Sequence, residues 1–208
     1  MEIITESGAA RAELDGDGAA ARFLLVLTHG AGGSVEALDL LAVRDAALRL
    51  GGMVARVTQP YRVRGARAPG SAVRQDAAWV EIVTALRQLA PGLPLVQGGR
   101  SNGARVACRT AADVSARAVI ALAFPLRPPQ RWSARASAGL GATRVAELHA
   151  ARVGGAAVLV VNGERDPFGI PGRADADRVV IIPRETHALK GHRADVISVV
   201  TEWLPTVL

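Results

Sequence analysis

The sequence has one cysteine, one lysine and few aromatic residues, and these scarcities exclude some kinds of site and core. Cys108 is the single cysteine among 208 residues, which excludes an intramolecular disulfide and a cysteine-rich metal site. Aromatic residues make up 3% of the chain, so the predicted core consists mainly of Ala, Val, Leu and Ile. Lys190 is the only lysine, and arginine accounts for the rest of the 25 basic residues.

Long apolar runs are also missing. The longest runs, such as Phe23–Leu27 and Ala156–Val161, are too short to span a bilayer, and the acidic start Met1–Gly8 is unlike a secretory signal. The formal net charge is +6, but the arginines are scattered from Arg11 to Arg193 and do not cluster as they do in a nucleic-acid-binding face. We therefore expect a cytoplasmic protein without a nucleic-acid or membrane partner.

Apolar runs alternate with helical patterns along almost the whole chain. The predicted strands cover residues 1–5, 11–14, 23–28, 53–57, 93–96, 118–124, 157–161 and 179–182. The predicted helices cover residues 34–50, 71–89, 101–112, 143–152 and 194–203, and the segments 59–70 and 125–155 are otherwise irregular. This alternation predicts an α/β fold, with a mostly parallel sheet and helices on both faces. The length favours one domain over residues 1–208.

The sharpest motif is Gly99-Arg-Ser-Asn-Gly103, which fits the G-x-S-x-G pattern of a nucleophile elbow. Because a predicted strand precedes it and a predicted helix begins at Ser101, the serine would lie at a helix N-terminus, where negative charge is favoured. In a chain rich in glycine and alanine the pattern also arises by chance. The alternative is an ordinary strand-to-helix turn with a solvent-facing serine, but the flanking elements favour a nucleophile.

A serine hydroxyl needs a base to take its proton, and the base needs an acid to orient it. Asp166, which follows the seventh predicted strand, is the best candidate acid, although it also resembles a turn aspartate before proline and Glu164 competes with it. His187, in the loop after the last strand, is preferred as the base over His192, which abuts the closing helix. The order of Ser101, Asp166 and His187 is that of an α/β-hydrolase.

A glycine-rich turn, His29-Gly-Ala-Gly-Gly33, follows the first buried strand and lets backbone N–H groups approach a ligand closely. We expect the N–H groups of Ala31 and Asn102 to form an oxyanion hole, with His29 holding the turn. A phosphate-binding loop is the alternative, but the turn lacks both the Gly-Lys-Ser/Thr ending of a P-loop and the G-x-G-x-x-G spacing. No cofactor is therefore expected, and the four histidines show no metal-ligand spacing.

Four further residues border the expected site on predicted loops and are candidates for substrate binding: Gly30, Arg100, Arg127 and Phe168. The polar segment 59–70 adds Tyr61 and three arginines, Arg62, Arg64 and Arg67. Together the arginines favour an anionic substrate, and solvated surface arginines are the alternative of equal weight. Cys108 lies on the helix after the serine and is expected to be a small core residue rather than the nucleophile.

Several segments resemble the small α/β-hydrolases of the dienelactone-hydrolase-like group, within it the branch of the testis-expressed hydrolase-like proteins and a subunit of the NSL chromatin complex. These segments are Leu27-Thr-His-Gly-Ala-Gly-Gly33, Gly98-Gly-Arg-Ser-Asn-Gly103, Phe124-Pro-Leu-Arg-Pro-Pro129, Asn162-Gly-Glu-Arg-Asp-Pro-Phe-Gly169 and Thr186-His-Ala-Leu-Lys190. The resemblance implies an eight-stranded, mostly parallel sheet with an antiparallel second strand, and Ser101, Asp166 and His187 as a catalytic triad. The segment 125–155 offers at most a small lid, so we expect little or no cap. Asn102 stands where the branch commonly has Met, and Arg127 where it often has His.

The residues and the resemblance together predict a serine hydrolase that cleaves small carboxylic esters through an acyl-enzyme. A small acyl compound is the expected substrate, and the protein is expected to be a monomer or homodimer. Two alternatives stay open: a hydrolase of the same fold that acts on thioesters, amides or lactones, and a non-catalytic interaction module that keeps the fold. A fold alone does not decide among them.

Overall fold

A computed structural model describes residues 1–128 and 143–208. Part of the irregular segment predicted for residues 125–155, and with it the expectation of little or no cap, lies outside the described residues. The centre is one sheet of eight strands: β1 Glu2–Thr5, β2 Gly8–Asp15, β3 Phe23–Thr28, β4 Gly52–Thr58, β5 Leu95–Arg100, β6 Ala118–Leu122, β7 Ala157–Gly163 and β8 Arg178–Ile182. The predicted eight-stranded α/β fold is confirmed.

The strand order across the sheet is β1-β2-β4-β3-β5-β6-β7-β8. Strand β2 runs antiparallel to both of its neighbours, and every pair from β4 to β8 is parallel. The antiparallel second strand is therefore confirmed as well. Because parallel strands end at the same edge of a sheet, the loops that follow β3, β5, β7 and β8 all emerge on one side, where ligands bind in open α/β sheets.

The described residues form six α-helices: α1 Leu38–Arg49, α2 Pro60–Val63, α3 Ala72–Arg87, α4 Asn102–Arg109, α5 Val145–Val153 and α6 Arg193–Trp203. Apolar residues of α1 and α6 form a core on one face, and those of α3, α4 and α5 form a core on the other. All six residues of β3 are buried, which explains its continuous apolar sequence. Among the described residues, no helix has the length and apolar character needed to cross a membrane.

Two helical boundaries differ from the sequence prediction because local turns compete with the helix. Ser34 does not cap α1: its hydroxyl accepts a hydrogen bond from the backbone N–H of Glu36 (3.1 Å), which closes a separate turn before the helix begins at Leu38. The segment predicted as a polar loop contains α2, which starts at Pro60, where the missing N–H of proline is tolerated.

The boundary of β5 was predicted wrongly, and this error bears on the site. The strand runs over Leu95–Arg100, so Gly98 and Gly99 lie inside it and do not form the turn. A Cβ atom on Gly98 would lie 2.5 Å from the carbonyl oxygen of Ile120 in β6. The neighbouring strand therefore requires glycine here by its close approach, and the turn itself begins only at Ser101.

Candidate active site

Ser101 forms a one-residue turn between β5 and α4. Its backbone angles are φ 53° and ψ −112°, a strained combination for a residue with a side chain. The backbone is held on both sides, since its N–H donates to the carbonyl of Leu122 (2.8 Å) and its carbonyl accepts from the N–H of Arg105 (3.2 Å). Such a turn projects the hydroxyl beyond the carboxyl edge of the sheet, as expected for a nucleophile elbow.

The glycines on either side of Ser101 make this turn sterically possible. Gly99 and Gly103 face each other across it, and a Cβ atom on Gly99 would lie 2.7 Å from the carbonyl carbon of Gly103. A Cβ atom on Gly103 would lie 2.6 Å from the carbonyl oxygen of Thr28 and 2.7 Å from that of His29. The spacing of G-x-S-x-G thus follows from the contact between the elbow and the end of β3.

Replacing Gly103 with alanine is expected to lower the free energy of unfolding by about 1–3 kcal/mol, because backbone oxygens cannot move aside as a flexible side chain can. Urea denaturation followed by circular dichroism measures this change. Gly32→Ala is the matched control, since a Cβ atom at Gly32 meets nothing within 4 Å. Equal stability of the two variants would show that the elbow tolerates a methyl group.

The structure brings Ser101, His187 and Asp166 together, although they lie far apart in the sequence. The Nε2 atom of His187 lies 2.9 Å from the Ser101 hydroxyl, and its Nδ1 atom lies 2.8 Å from Oδ2 of Asp166. The Asp166 side chain is fully buried, while that of His187 is 19% exposed. Since an ionised carboxylate only accepts hydrogen bonds, Nδ1 carries the proton and the Nε2 lone pair faces the serine hydroxyl. This arrangement can remove a proton from Ser101.

The competing candidates at the sequence level have other partners. His192 directly precedes α6, and its Nδ1 atom lies 2.8 Å from Oδ2 of Asp195, three residues further on. Glu164 accepts a hydrogen bond from the backbone N–H of Arg184 (2.8 Å) and is exposed. Within the described residues, neither side chain is hydrogen-bonded to Ser101 or to His187.

Asn162, which the sequence analysis did not single out, fixes the loop that carries Asp166. It lies at the end of β7, is fully buried, and exchanges two hydrogen bonds with the backbone of Phe124 (2.8 and 3.1 Å). Its amide nitrogen also lies 3.3 Å from Oδ2 of Asp166. A polar residue at the end of an otherwise apolar strand was the available signal, since a buried amide needs partners.

Phe168, predicted to bind substrate, lies against the catalytic histidine candidate. Its ring meets the His187 imidazole edge to face, with centroids 4.6 Å apart and planes at 74°. Its backbone N–H donates to Oδ1 of Asp166 (2.9 Å). One residue thus contacts both the acid and the base and restricts the orientation of the imidazole ring.

The glycine-rich turn after β3 lies beside the serine. A Cβ atom on Gly30 would be 3.4 Å from that of Ser101, so the turn and the elbow touch. Within the described residues, the backbone N–H groups of Ala31 and Asn102 have no hydrogen-bond acceptor, and the same holds for Gly32 in the glycine-rich turn. Two free donors near a serine hydroxyl are what an oxyanion hole requires.

Buried side chains hold this turn from behind, as expected for His29. The Nδ1 atom of His29 donates to the carbonyl of Gly30 (2.8 Å), and its Nε2 atom accepts from the backbone N–H of Gln59 (3.1 Å). Burial lowers the pKa of His29, so the ring is neutral and can both donate and accept. The Tyr61 hydroxyl donates to the carbonyl of Ala31 (3.0 Å), and burial raises the pKa of this phenol to about 12.

The arginines proposed to border the site differ in their contacts. Arg62 donates to the carbonyl of Gly33 (3.2 Å), and Arg64 donates to that of Ser7, so both bind loop backbone. Arg67 and Arg127 are exposed. Arg100 donates from Nε to Asp39 and from Nη2 to the backbone carbonyl of His187, so these donors serve the protein itself rather than a substrate.

A cleft of about 920 Å³ is formed mainly by α2, the first half of α3 and the loop between them. Tyr61, Arg64 and Gln75 line it, together with the loop that precedes α3, whereas Ser101 and His187 do not. Tyr61 connects this cleft with the glycine-rich turn, since it lines the cleft and its hydroxyl donates to the carbonyl of Ala31. The serine itself lies at the surface and is partly exposed.

Several solved structures share this fold. Est1E from Butyrivibrio proteoclasticus, solved with ferulic acid, superposes with a TM-score of 0.76 at 18% identity, covering 100% of this chain and 98% of the other. A serine hydrolase without a lid from Xanthomonas campestris superposes with a TM-score of 0.73 at 17% identity, covering 100% of this chain and 94% of the other. Dienelactone hydrolase from Anabaena variabilis superposes with a TM-score of 0.74 at 18% identity, covering 100% of this chain and 96% of the other. At these identities the similarity shows the fold alone.

Sequence comparison identifies the family directly. Curated proteins give no significant match to this chain. A family model described as an alpha/beta hydrolase domain, Abhydrolase_11, matches residues 21–188, a span that runs from the start of β3 to just beyond His187. This span includes the elbow, the glycine-rich turn and the loops that carry Asp166 and His187. The chain therefore belongs to the α/β-hydrolase family.

Proposed function

We propose that the protein is a serine hydrolase of small carboxylic esters, with Ser101 as nucleophile, His187 as base and Asp166 as the orienting acid. The observation that carries this proposal is the continuous hydrogen-bond path from the Ser101 hydroxyl through His187 to Asp166, at 2.9 and 2.8 Å. The strained backbone of Ser101 supports it, because strain of this kind concentrates at functional sites.

In the acylation step, the Ser101 oxygen attacks the ester carbonyl while Nε2 of His187 takes the hydroxyl proton. The resulting imidazolium is stabilised by the buried carboxylate of Asp166, which stays ionised throughout. The proton then passes from His187 to the departing alkoxide as the ester bond breaks, leaving an acyl-enzyme. Asn162 and Phe168 hold the Asp166 carboxylate and the His187 imidazole in position during this transfer.

The tetrahedral intermediate carries a negative oxygen that needs hydrogen-bond donors. The N–H groups of Ala31 and Asn102 supply them, and the amide of Asn102 also lies at the N-terminus of α4, where the helix dipole favours negative charge. Water, deprotonated by His187, then attacks the acyl-enzyme, and Ser101 leaves with the proton returned to it. The carboxylic acid product is released, Ser101 and His187 return to their starting protonation states, and the proposed mechanism uses no cofactor.

The substrate class is proposed from the surroundings of the serine. Ser101 is partly exposed, which suits small or accessible acyl groups. The five segments shared with the dienelactone-hydrolase-like group support placing the chain there, in the branch of the testis-expressed and NSL-subunit proteins. Gly30 and Arg127 are proposed to border the bound acyl group, and the exposed Arg127 favours an acyl group that carries a carboxylate.

A fluorophosphonate probe tests the nucleophile and the base together. We expect wild-type protein to be labelled, and His187→Ala to reduce the second-order labelling rate constant by about 10²–10⁴-fold, the contribution of a positioned general base. His192→Ala is the matched control, because His192 forms a similar imidazole–carboxylate pair that does not face the serine. Slower labelling of the His192 variant, with normal labelling of the His187 variant, would reverse the assignment of the base.

A matched substrate panel then separates the chemical classes. The same acyl group is offered as a p-nitrophenyl ester, a thioester and an anilide, together with a lactone of the same carbon number, and the kcat/KM values are compared. The proposal predicts the highest value for the ester. Turnover of none of the four by folded protein that the probe does not label would favour the non-catalytic interaction module.

A further inference from the structure

We propose that Arg100 and Asp39 form a clamp that positions the catalytic base, by holding the backbone of His187 against the strand that carries the nucleophile. This inference rests on the proposed function, because it assumes that His187 acts as the base. It assigns to Arg100 a role other than the contact with substrate that the sequence suggested. Arg100 acts here through His187 and is a positioning residue.

Arg100 is the last residue of β5 and directly precedes Ser101. Its Nη2 atom donates to the backbone carbonyl of His187 at 2.6 Å, and its Nε atom donates to Oδ2 of Asp39 at 2.8 Å. The guanidinium also lies beside the glycine-rich turn, since a Cβ atom on Gly30 would be 3.5 Å from its Nη1 atom. One side chain therefore links β5, helix α1 and the loop that carries His187, and it lies beside the glycine-rich turn.

Asp39 fixes the direction of the guanidinium. It lies in the first turn of α1, and its side chain is 1% exposed. Burial raises the pKa of Asp39, and the charge of Arg100 opposes that rise. A carboxylate buried this deeply needs its cation, so the ion pair holds the guanidinium in one orientation. The Nη2 group of the guanidinium then remains available to donate to the His187 carbonyl.

The clamp holds a part of His187 that the triad contacts leave free. Asp166 and Phe168 restrain the imidazole ring, whereas Arg100 restrains the main chain to which the ring is attached. The loop after β8 is closed on itself by Glu185, whose carboxylate accepts from the backbone N–H groups of Thr186 and Gly191. Arg100 ties this closed loop to β5, so one side chain links the strand before Ser101 to the backbone of His187.

Arginine suits this position for a geometric reason. Its planar guanidinium presents Nε and Nη2 as donors in fixed directions, so it bridges a carboxylate and a carbonyl at once. A lysine ammonium has no such fork, and a glutamine amide carries no charge to match Asp39. A displacement of the base by about 1 Å reduces turnover by about 10²-fold, so loss of the clamp acts on turnover rather than on substrate binding.

The test compares Arg100→Lys and Arg100→Gln with Arg109→Gln in the full chain. Arg109 of α4 is a matched control, because it forms a partly buried pair with Asp76 (2.6 Å) away from the triad. We expect kcat for a neutral p-nitrophenyl ester to fall by about 10- to 100-fold in Arg100→Gln, with KM within about twofold of wild type. Arg100→Lys should lie between that variant and wild type, and Arg109→Gln should keep the wild-type kcat.

Hydrogen exchange measured by mass spectrometry gives a readout that does not depend on activity. The segment 184–191 should exchange faster in both Arg100 variants and at the wild-type rate in Arg109→Gln. If Arg100→Gln does not fold, Asp39→Asn takes its place, since it leaves the guanidinium present but removes the charge that orients it. If the wild type hydrolyses no ester but segment 184–191 still exchanges faster in the Arg100 variants, the proposed function is wrong. The contact by which Arg100 holds the His187 loop would still stand.

Three outcomes overturn the clamp. Unchanged exchange of segment 184–191 in the Arg100 variants would show that the contact does not hold the loop. A higher KM with normal kcat for a neutral ester would return Arg100 to substrate binding. An equal fall of kcat in Arg109→Gln would reduce the effect to a general loss of stability.

Discussion

Ser101→Ala is expected to lower kcat for a p-nitrophenyl ester by on the order of 10⁶-fold, to the small residual catalysis that binding and the oxyanion hole provide. The reason is that the methyl group offers no oxygen to attack the carbonyl and no proton for His187. Steady-state hydrolysis at saturating ester, with the protein freed of contaminating esterases, measures this loss. The fold should survive, because the backbone contacts of Ser101 do not involve its hydroxyl.

Ser115→Ala is the matched control for this variant. Ser115 is an exposed serine that also has a positive φ, 50°, in the turn after α4. Placing alanine at a positive φ is therefore tested at both positions, but only Ser101 faces His187. Full esterase activity of a folded Ser101→Ala protein would rule out the serine mechanism proposed for this chain.

Asp166→Asn is expected to give the second largest loss, on the order of 10⁴-fold in kcat. Oδ2 of Asp166 faces two donors, Nδ1 of His187 and the amide nitrogen of Asn162. An amide NH₂ group at that position would donate to Nδ1, so the imidazole proton would move to Nε2. With Nε2 protonated, His187 could no longer accept the proton of Ser101. The pre-steady-state rate of acylation by p-nitrophenyl acetate measures the step directly.

Asp195→Asn makes the same chemical change in another histidine–carboxylate pair, that of His192. Asp195 lies 2.8 Å from Nδ1 of His192, the same distance that joins Asp166 to His187. We expect this variant to acylate at the wild-type rate. A comparable loss in both variants would point to the overall charge balance rather than to the tautomer of His187.

Local patterns made the elbow and its partners predictable. G-x-S-x-G reflects contacts within five residues and with the end of one neighbouring strand, so it can be recognised without the fold. The alternation of strands and helices then placed the loops of Asp166 and His187 on the same edge as Ser101. His192 could also have been set aside from the sequence, because Asp195 lies three residues later and forms a pair within the first turn of a helix.

Contacts between distant segments were not predictable in the same way. Arg100 and Asp39 are 61 residues apart, and nothing in the sequence around either one identifies its partner. The strand predicted over residues 93–96 stopped short of Gly98 and Gly99 for a related reason. Glycine often indicates a turn because it can adopt a positive φ. Gly98 and Gly99 are instead required because neighbouring backbone leaves no room for a Cβ atom, and the residue with the positive φ is Ser101.

Peptide mapping of the phosphonate adduct is the most direct measurement of the central claim, that one seryl oxygen is activated by this histidine and carboxylate. Native protein is treated with a fluorophosphonate, digested and analysed by tandem mass spectrometry. The account predicts a single stoichiometric adduct on Ser101, which heat-denatured protein does not form. An unmodified Ser101 in folded protein that nevertheless hydrolyses esters, or an adduct on another residue, would contradict it.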